Sequence, residues 1–499
     1  MKYSRIIILL AIALIIGLVS NGWISGLADS YAVGDDARAM LQARDLPDSY
    51  LKSYTELGIP VTHSLGTFYS LISNYVDLVL ATKLMSIFLY LLVTLFSYLL
   101  AKELKLKYSF LFSLLVTLQT GLMFWVFSGG QSRGFAFPLL LAFLYFFVKR
   151  NTVAYTITML LQALIYPPIL LLSAGLLCAE FMNRKIEFTL LSPIIFPLGL
   201  LYFTLPKITE FGSQVNLMEA WNMVEFHTGG RAPIFRTDIL HSIFNSYNFN
   251  VSSPLYLDAF FLLGIIALLV MILFWKKLSL PSELKSLIIS SIIFFVLAFI
   301  FFSKLYLPSR YIVFTFPIIA VWYICKGLEI SLRDKSRIIK SVILIAVILT
   351  TSIYYAPQIR NGLETCGDKE LYAYLETLPK DSLIAAHPNT SNCIPLYSGR
   401  NVLFMDELSP PYYKTYYAKI KLQIREFFDM YYGNSKIEDF CSENGVSHIV
   451  IDKRHFSKNY VERGNFYREP INSAIEVKNS AILDITGADI GDFKVLECP

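Results

Sequence analysis

Two adjacent carboxylates follow the first apolar run of the chain, in Tyr31-Ala32-Val33-Gly34-Asp35-Asp36-Ala37-Arg38. A carboxylate beside a low-dielectric surface holds its proton more tightly unless it is paired or metal-bound. Asp35 or Asp36 could therefore act as a general base toward a hydroxyl, or the pair could hold a divalent cation. The segment they belong to, 23–63, carries six acidic residues against three basic ones and ends at His63. The competing reading is a solvated acidic loop in which Asp36 caps a helix beginning at Ala37. Two later turns each place an arginine beside an apolar run. One is Ser128-Gly129-Gly130-Gln131-Ser132-Arg133-Gly134, the other Lys304-Leu305-Tyr306-Leu307-Pro308-Ser309-Arg310-Tyr311. A guanidinium can grip a phosphate with paired N–H donors, a geometry that lysine lacks. A side chain reaching back to lipid headgroups is the plainer alternative for both. A long polar segment, 207–253, adds Trp221, Glu225, His227, Gly229-Gly230-Arg231 and Arg236. His227 reads as an ordinary loop histidine, whereas Arg231 joins the candidate phosphate ligands.

The elements that must position these residues are membrane helices. Of 499 residues, 55% are hydrophobic and 16% charged, and mean hydropathy is +0.53. A soluble globule cannot bury that much apolar surface, and a disordered chain would not contain it. A net charge of +5 over this length forms no basic stripe, which excludes a nucleic-acid binder. Residues 1–356 hold 27 Lys/Arg, 18 Asp/Glu and all five tryptophans, whereas 357–499 hold 16 Lys/Arg and 20 Asp/Glu. No apolar run in the second part approaches the roughly 20 residues that a spanning helix needs. The expected fold is therefore mainly α, with a polytopic membrane domain over 1–356 and a soluble α/β domain over 357–499.

Apolar runs between charges give about eleven spans: 6–22, 84–101, 108–127, 135–148, 153–166, 168–182, 186–206, 254–275, 284–303, 311–325 and 338–356. Tyr166-Pro167-Pro168 must break the helix at its position, because proline lacks the donor and clashes with the preceding turn. The segment 62–80, with Asp77, is too polar to span and reads as a helix lying along the membrane. With the N-terminus in the cytoplasm, the inner segments carry 17 Lys/Arg in 43 residues and the outer loops 9 in 102. The positive-inside rule favours that orientation, and an odd number of spans puts the tail outside the plasma membrane. The first run is long for a signal peptide and reads as an uncleaved anchor.

The tail holds four cysteines, Cys366, Cys393, Cys441 and Cys498. In an oxidising compartment they permit two disulfides in three pairings. Hydrophobic periodicity predicts helices over 368–378, 412–432 and 437–443, and strands over 382–386 and 446–451. No glycine-rich phosphate loop or Ser/His/Asp arrangement stands out, so the tail reads as a packing or partner-binding domain.

This layout resembles the GT-C superfamily of membrane glycosyltransferases, which includes the protein mannosyltransferases and the aminoarabinose transferases. The resemblance rests on one N-terminal span, an outer loop with an acidic motif, many further spans, the Arg310-Tyr311 turn and an external C-terminal domain. It covers the whole chain in layout but only short motifs in residues. It implies inverting transfer of a sugar from a polyprenyl-phosphate donor to a glycan, lipid or protein acceptor. Asp35 or Asp36 would then be the base, and Arg133, Arg310, Tyr311, Arg231 and His63 would contact substrate. A WWD-type motif is absent and the tail offers Tyr412-Tyr413 and Tyr416-Tyr417 instead, which argues against the oligosaccharyltransferase branch. Two other functions fit a chain of this composition. A flippase or permease would carry ionisable groups within its spans and often an internal repeat, and neither is evident here. A non-catalytic envelope assembly protein would work through its tail.

Overall fold

Runs of Leu, Ile, Phe and Val uninterrupted by proline or charge become helices, because only a helix satisfies its own backbone in lipid. The computed structural model describes residues 4–20, 69, 71–72, 74–76, 78–118, 132–182, 197–198, 212–234, 259–274, 276, 278–302, 305, 308–333 and 366–499. In the first part the helices are α1 (Ser4–Ser20), α2 (Leu78–Glu103), α3 (Ser109–Thr117), α4 (Ala136–Val148), α5 (Thr152–Ile165) and α6 (Pro167–Met182). They continue as α7 (Leu217–Asn222), α8 (Ala259–Phe274), α9 (Ser282–Ile300), α10 (Arg310–Val313) and α11 (Thr315–Ser331). Among the described residues three helical segments are long and apolar enough to cross a membrane: Val79–Glu103, Ser282–Ile300 and Arg310–Ser331. Helices α1, α4, α5 and α6 are apolar but shorter. The described residues thus do not yield the expected count of eleven; 186–206 and 338–356 lie almost wholly outside them.

Small and hydroxylated residues set the helix contacts, as expected where lipid offers no hydrophobic drive between helices. Helix α2 packs on α1, α3 and α4. Thr94 Oγ1 lies 2.8 Å from Thr117 Oγ1, and Ser97 Oγ donates to Ser113 Oγ at 3.0 Å across the α2–α3 seam. Helix α6 packs closely on α9. A Cβ at Gly175 would lie 2.3 Å from Ser290 Oγ, and Ser290 Oγ donates to Leu172 O at 2.9 Å. Lower in this seam Ser286 Oγ donates to the buried Glu180 carboxylate at 2.6 Å. The expected break stands at Tyr166: α5 ends one residue before it, and α6 starts on Pro167, a first-turn position where proline is tolerated.

The tail is an α/β unit. Its helices are α12 (Lys369–Thr377), α13 (Pro388–Ser391), α14 (Ile394–Ser398), α15 (Lys414–Tyr431), α16 (Ile437–Asn444) and α17 (Lys458–Arg463). Its strands are β1 (Leu383–Ala386), β2 (Asn401–Val402), β3 (His448–Asp452), β4 (Ala488–Ile490) and β5 (Phe493–Glu497), in the order β2-β1-β3-β5-β4. β2, β1 and β3 are parallel, while β5 and β4 are antiparallel to their neighbours. Helix α15 buries Tyr416, Ile420, Ile424, Phe427, Phe428 and Tyr431, a spacing of three and four that makes one apolar face. Helix α16 ends at Gly445, whose φ of +61° is a left-handed C-terminal cap. The cysteines form Cys366–Cys393 and Cys441–Cys498. Strands β2, β4 and β5 were not expected from periodicity, since they are short and carry no long alternating run.

Candidate active site

Arg310 opens α10, and its guanidinium carbon stands 5.7 Å from the centre of the Tyr166 ring. Tyr166 is the residue that the proline pair frees from helix geometry, so the break sets a flat π face under the cation. The Tyr166 ring meets Phe314 edge-on at 6.0 Å, and Phe314 lies 6.4 Å from Phe137. Phe137 is one helical turn beyond Arg133, which sits in the 3-10 turn Ser132–Phe135 packed against α2 and α5. The fold therefore gathers Arg133, Tyr166 and Arg310 at one end of the helix bundle, although 177 positions separate the two arginines in sequence. Tyr311 is buried instead. Its hydroxyl donates to Leu305 O at 2.8 Å, its carbonyl accepts from Ser291, and its ring stacks on Phe294 at 5.6 Å. Asp35, Asp36 and His63 lie outside the described residues. Among the described residues no group of three or more His, Cys, Asp or Glu side chains is placed to hold a metal ion.

The segment 212–234 is bound to the tail. Asn216 caps α7 in a reciprocal box with Glu219. Val215 N donates to Tyr412 O at 2.9 Å, Lys414 N donates to Ser213 O at 3.1 Å, and Gly230 bridges to Glu469. Phe226 packs between Phe302, just beyond α9, and Tyr412 of the tail, at 5.4 and 5.7 Å. Lys414 pairs with Glu219, and Lys421 with the buried Glu225 at 2.7 Å. Arg231 Nε donates to Asp406 O at 2.8 Å, and its Nη2 donates to the backbone and carboxylate oxygens of Glu407 at 3.2 Å. His227 Nε2 lies 2.8 Å from Trp221 O, a contact within the segment itself. Arg236 is outside the described residues.

Asp406 is the hub that sequence inspection missed. Its carboxylate is buried, accepts from both Arg468 Nε and Nη2 at 2.7 and 2.8 Å, accepts from Tyr467 Oη at 2.8 Å, and faces Arg231 at 3.5 Å. Burial alone would raise its proton affinity, but the Arg231 and Arg468 charges outweigh it and hold the carboxyl well below the usual range. Arg231 is held charged in turn: burial opposes its charge, and Asp406 and Glu407 more than restore it. Two cations and two carboxylates make the cluster neutral. Its members are 175 and 62 positions apart, so no local motif marks them.

A second cluster lies at the carboxyl ends of the parallel strands. His387 follows β1, Asp452 ends β3, and His455 comes three residues later. The two imidazoles are 4.7 Å apart, His387 Nε2 lies 2.9 Å from Phe466 O, and His455 Nε2 lies 3.6 Å from Asp452. Burial and the neighbouring His387 push His455 down to about 4. Burial also lowers His387. Asp452 is committed to Arg454 through two contacts at 2.7 and 2.8 Å. Internal partners thus occupy the edge where an open α/β sheet often binds ligands.

A helical bundle with two arginines at one end is joined through a loop to an α/β tail, and solved structures share this fold. The chain is similar to the archaeal oligosaccharyltransferase AglB from Archaeoglobus fulgidus in complex with an inhibitory peptide and a dolichol-phosphate, at a TM-score of 0.53 and 12% identity, over 93% of this chain and 71% of that one. The apo form of the Archaeoglobus fulgidus enzyme matches equally, at a TM-score of 0.53 and 12% identity over 94% and 72%. At this identity the likeness is one of fold and does not decide the branch within it. No protein-family model matches the sequence, and no curated protein is similar to it in sequence.

Proposed function

We propose that this chain transfers a sugar or glycan from a lipid-linked phosphate donor to an acceptor at the membrane face that carries the tail. The observation that carries the reading is a GT-C fold over nearly the whole chain, with Arg133 and Arg310 at one end of its bundle. In this reading the donor lipid enters between helices from the bilayer. Arg310, poised on Tyr166, and Arg133 take the charge that builds on the leaving phosphate. Asp35 or Asp36 accepts the proton of the acceptor hydroxyl as its oxygen bonds the anomeric carbon. The bond from that carbon to the phosphate oxygen breaks on the opposite face, so configuration inverts. The acidic pair is equally the candidate holder of a divalent cation. Arg231, tied to Asp406, fixes the 212–234 segment to the tail, His63 contacts substrate, and the buried Tyr311, held by Leu305 and Phe294, fixes the turn that carries Arg310. The AglB complex with an inhibitory peptide and a dolichol-phosphate supports a lipid-linked donor and a peptide or glycan acceptor here. The remaining layout is proposed as read from the sequence: about eleven spans over 1–356, an N-terminus in the cytoplasm and a tail over 357–499 outside the plasma membrane. The charge bias and the two disulfides support it.

The test is transfer by the purified chain in lipid nanodiscs, supplied with a panel of polyprenyl-phosphate and polyprenyl-pyrophosphate sugars and with peptide and glycan acceptors. Asp35→Asn with Asp36→Asn should abolish transfer while the melting temperature is kept. Arg310→Lys should lower turnover by about 10- to 1000-fold, as loss of a preorganised charge donor does. Full activity in the double variant would overturn the reading.

A further inference from the structure

The end of the bundle away from the tail carries two basic turns. Lys102, Lys105 and Lys107 stand where α2 ends, and Lys149 and Arg150 where α4 ends; all five are exposed, against one exposed carboxylate, Glu103. Helix α2 belongs to the segments long and apolar enough to cross a membrane, and at 26 residues it reaches about 39 Å, more than a hydrocarbon core of roughly 30 Å. Val79 at its start packs against the tail core, so its last turn emerges among the headgroups of the opposite leaflet. Helix α4 stands level with it, because Phe96 of α2 meets Tyr145 and Phe146 of α4 at 6.3 and 5.8 Å.

Three of the cations rest on aromatic rings of their own helices. Lys102 Nζ is 4.5 Å from the centre of the Tyr98 ring, and Lys149 Nζ is 5.5 Å from that of Tyr145, to whose hydroxyl it donates at 3.3 Å. The Arg150 guanidinium carbon is 5.4 Å from the centre of the Phe147 ring. Among the described residues none of the five is in an ion pair. The backbone gives a second, independent observation. Leu106 N donates to Ala101 O and Asn151 N donates to Phe146 O, each at 2.9 Å, a helix closure whose left-handed residue is usually glycine. Here that residue is Lys105, at φ +55°, and Arg150, at φ +60°. Among the described residues these are the two positive φ values outside glycine, and both fall on cations of this rim. The chain thus keeps a charge in two places where glycine would be easier. After Arg150, α5 turns Val153, Ile157, Leu161 and Leu164 outward, a spacing of four and three that makes one apolar stripe.

We propose that these two turns bind the phosphodiester headgroups of anionic phospholipids in the leaflet away from the tail. Charge, position and shape fit that occupant. Five cations without counter-ions stand at the level where a span leaves the hydrocarbon, and basic groups between helix ends are suited to acidic headgroups. The rings under Lys102, Lys149 and Arg150 hold those cations near the helix surface without neutralising them. The outward stripe of α5 offers the acyl chains an apolar bed beside Arg150. Nothing in this site depends on the transfer reaction.

The full-length chain in detergent is mixed with equal amounts of phosphatidylglycerol and phosphatidylcholine, and the lipids it retains are counted by native mass spectrometry. The wild type should prefer phosphatidylglycerol, and a photoactivatable phosphatidylglycerol should crosslink to 98–109 and 145–155. Lys105→Gly with Arg150→Gly should lower the preference by about fivefold per cation lost, the contribution of one basic residue near an anionic surface. Glycine suits a left-handed turn, so the melting temperature of that variant in phosphatidylcholine should hold or rise. Lys102→Gln with Lys149→Gln, which leaves the backbone of both turns as it is, should give the same loss. Lys380→Gln with Lys458→Gln, an equal loss of charge on the tail, should keep the preference. Equal retention of the two lipids by the wild type, an undiminished preference in either rim variant, or a loss equally large in the tail variant overturns the proposal. So does displacement of phosphatidylglycerol by millimolar glycerol phosphate, which would assign the rim to a soluble anion.

Discussion

Asp406 holds two guanidiniums and a tyrosine hydroxyl in a buried position. Removing one partner of such a cluster costs more than the cluster contributes, because the remaining charges stay buried without compensation. Asp406→Asn should destabilise the full-length chain by about 3–5 kcal/mol, seen as a lower denaturation midpoint and as new proteolytic cleavage within 212–234. An unchanged midpoint would remove Asp406 from its place as hub. The histidine pair sets a pH limit of the opposite origin. An unfolded histidine takes up its proton near pH 6.5, whereas the folded His455 refuses it until about 4. A depressed folded value means that the contribution is complete above the unfolded value and is lost as pH falls through the folded one. Tail melting should therefore drop between pH 6.5 and 4, and His455→Gln should flatten that slope. Near-ultraviolet circular dichroism of the purified chain checks both.

At the scale of elements, two contacts position the candidate site. The first is the α6–α9 seam, where Gly175 leaves room for Ser290 and Phe294. Gly175→Leu must push α9 away, at about 1–3 kcal/mol for overpacking. Since α10 follows α9 and packs on it, the displacement should reach Arg310, so transfer should fall even in the folded fraction. A normal melting temperature with normal transfer would refute this coupling. The second contact is the Tyr166 break, which presents a ring to Arg310. Tyr166-Pro167-Pro168 declared the break in advance through proline's missing donor and fixed φ. The partner of the freed ring could not be declared, since it arrives 144 residues later.

At the scale of the whole molecule, the strap 212–234 ties the tail to the bundle among the described residues. It joins Tyr412, Lys414, Asp406, Glu407, Lys421 and Glu469 from one side and Phe302 from the other. Among the described residues the boundary at 356 read from composition is crossed by this loop and by Val79 of α2, which packs against the tail core. The disulfides close separations of 27 and 57 residues, and each such link contributes about 2–4 kcal/mol. Replacing both pairs with serine should lower the melting temperature of the tail and reduce transfer, with ellipticity and turnover as readouts.

The sequence by itself determined the local and compositional features. Apolar runs made helices because lipid leaves the backbone no other partner. The proline pair ended α5, the three- and four-residue spacing of aromatic side chains made α15, and four cysteines announced two bonds without their pairing. Only the tertiary structure paired Cys366 with Cys393, ordered the strands as β2-β1-β3-β5-β4, set Arg310 over Tyr166 and gave Arg231 to Asp406. Each of these is a contact between distant positions, chosen by the packing of whole elements. A lone arginine or aspartate carries the same charge whether it faces water, a phosphate or a buried counter-ion, and only the folded surroundings choose among them.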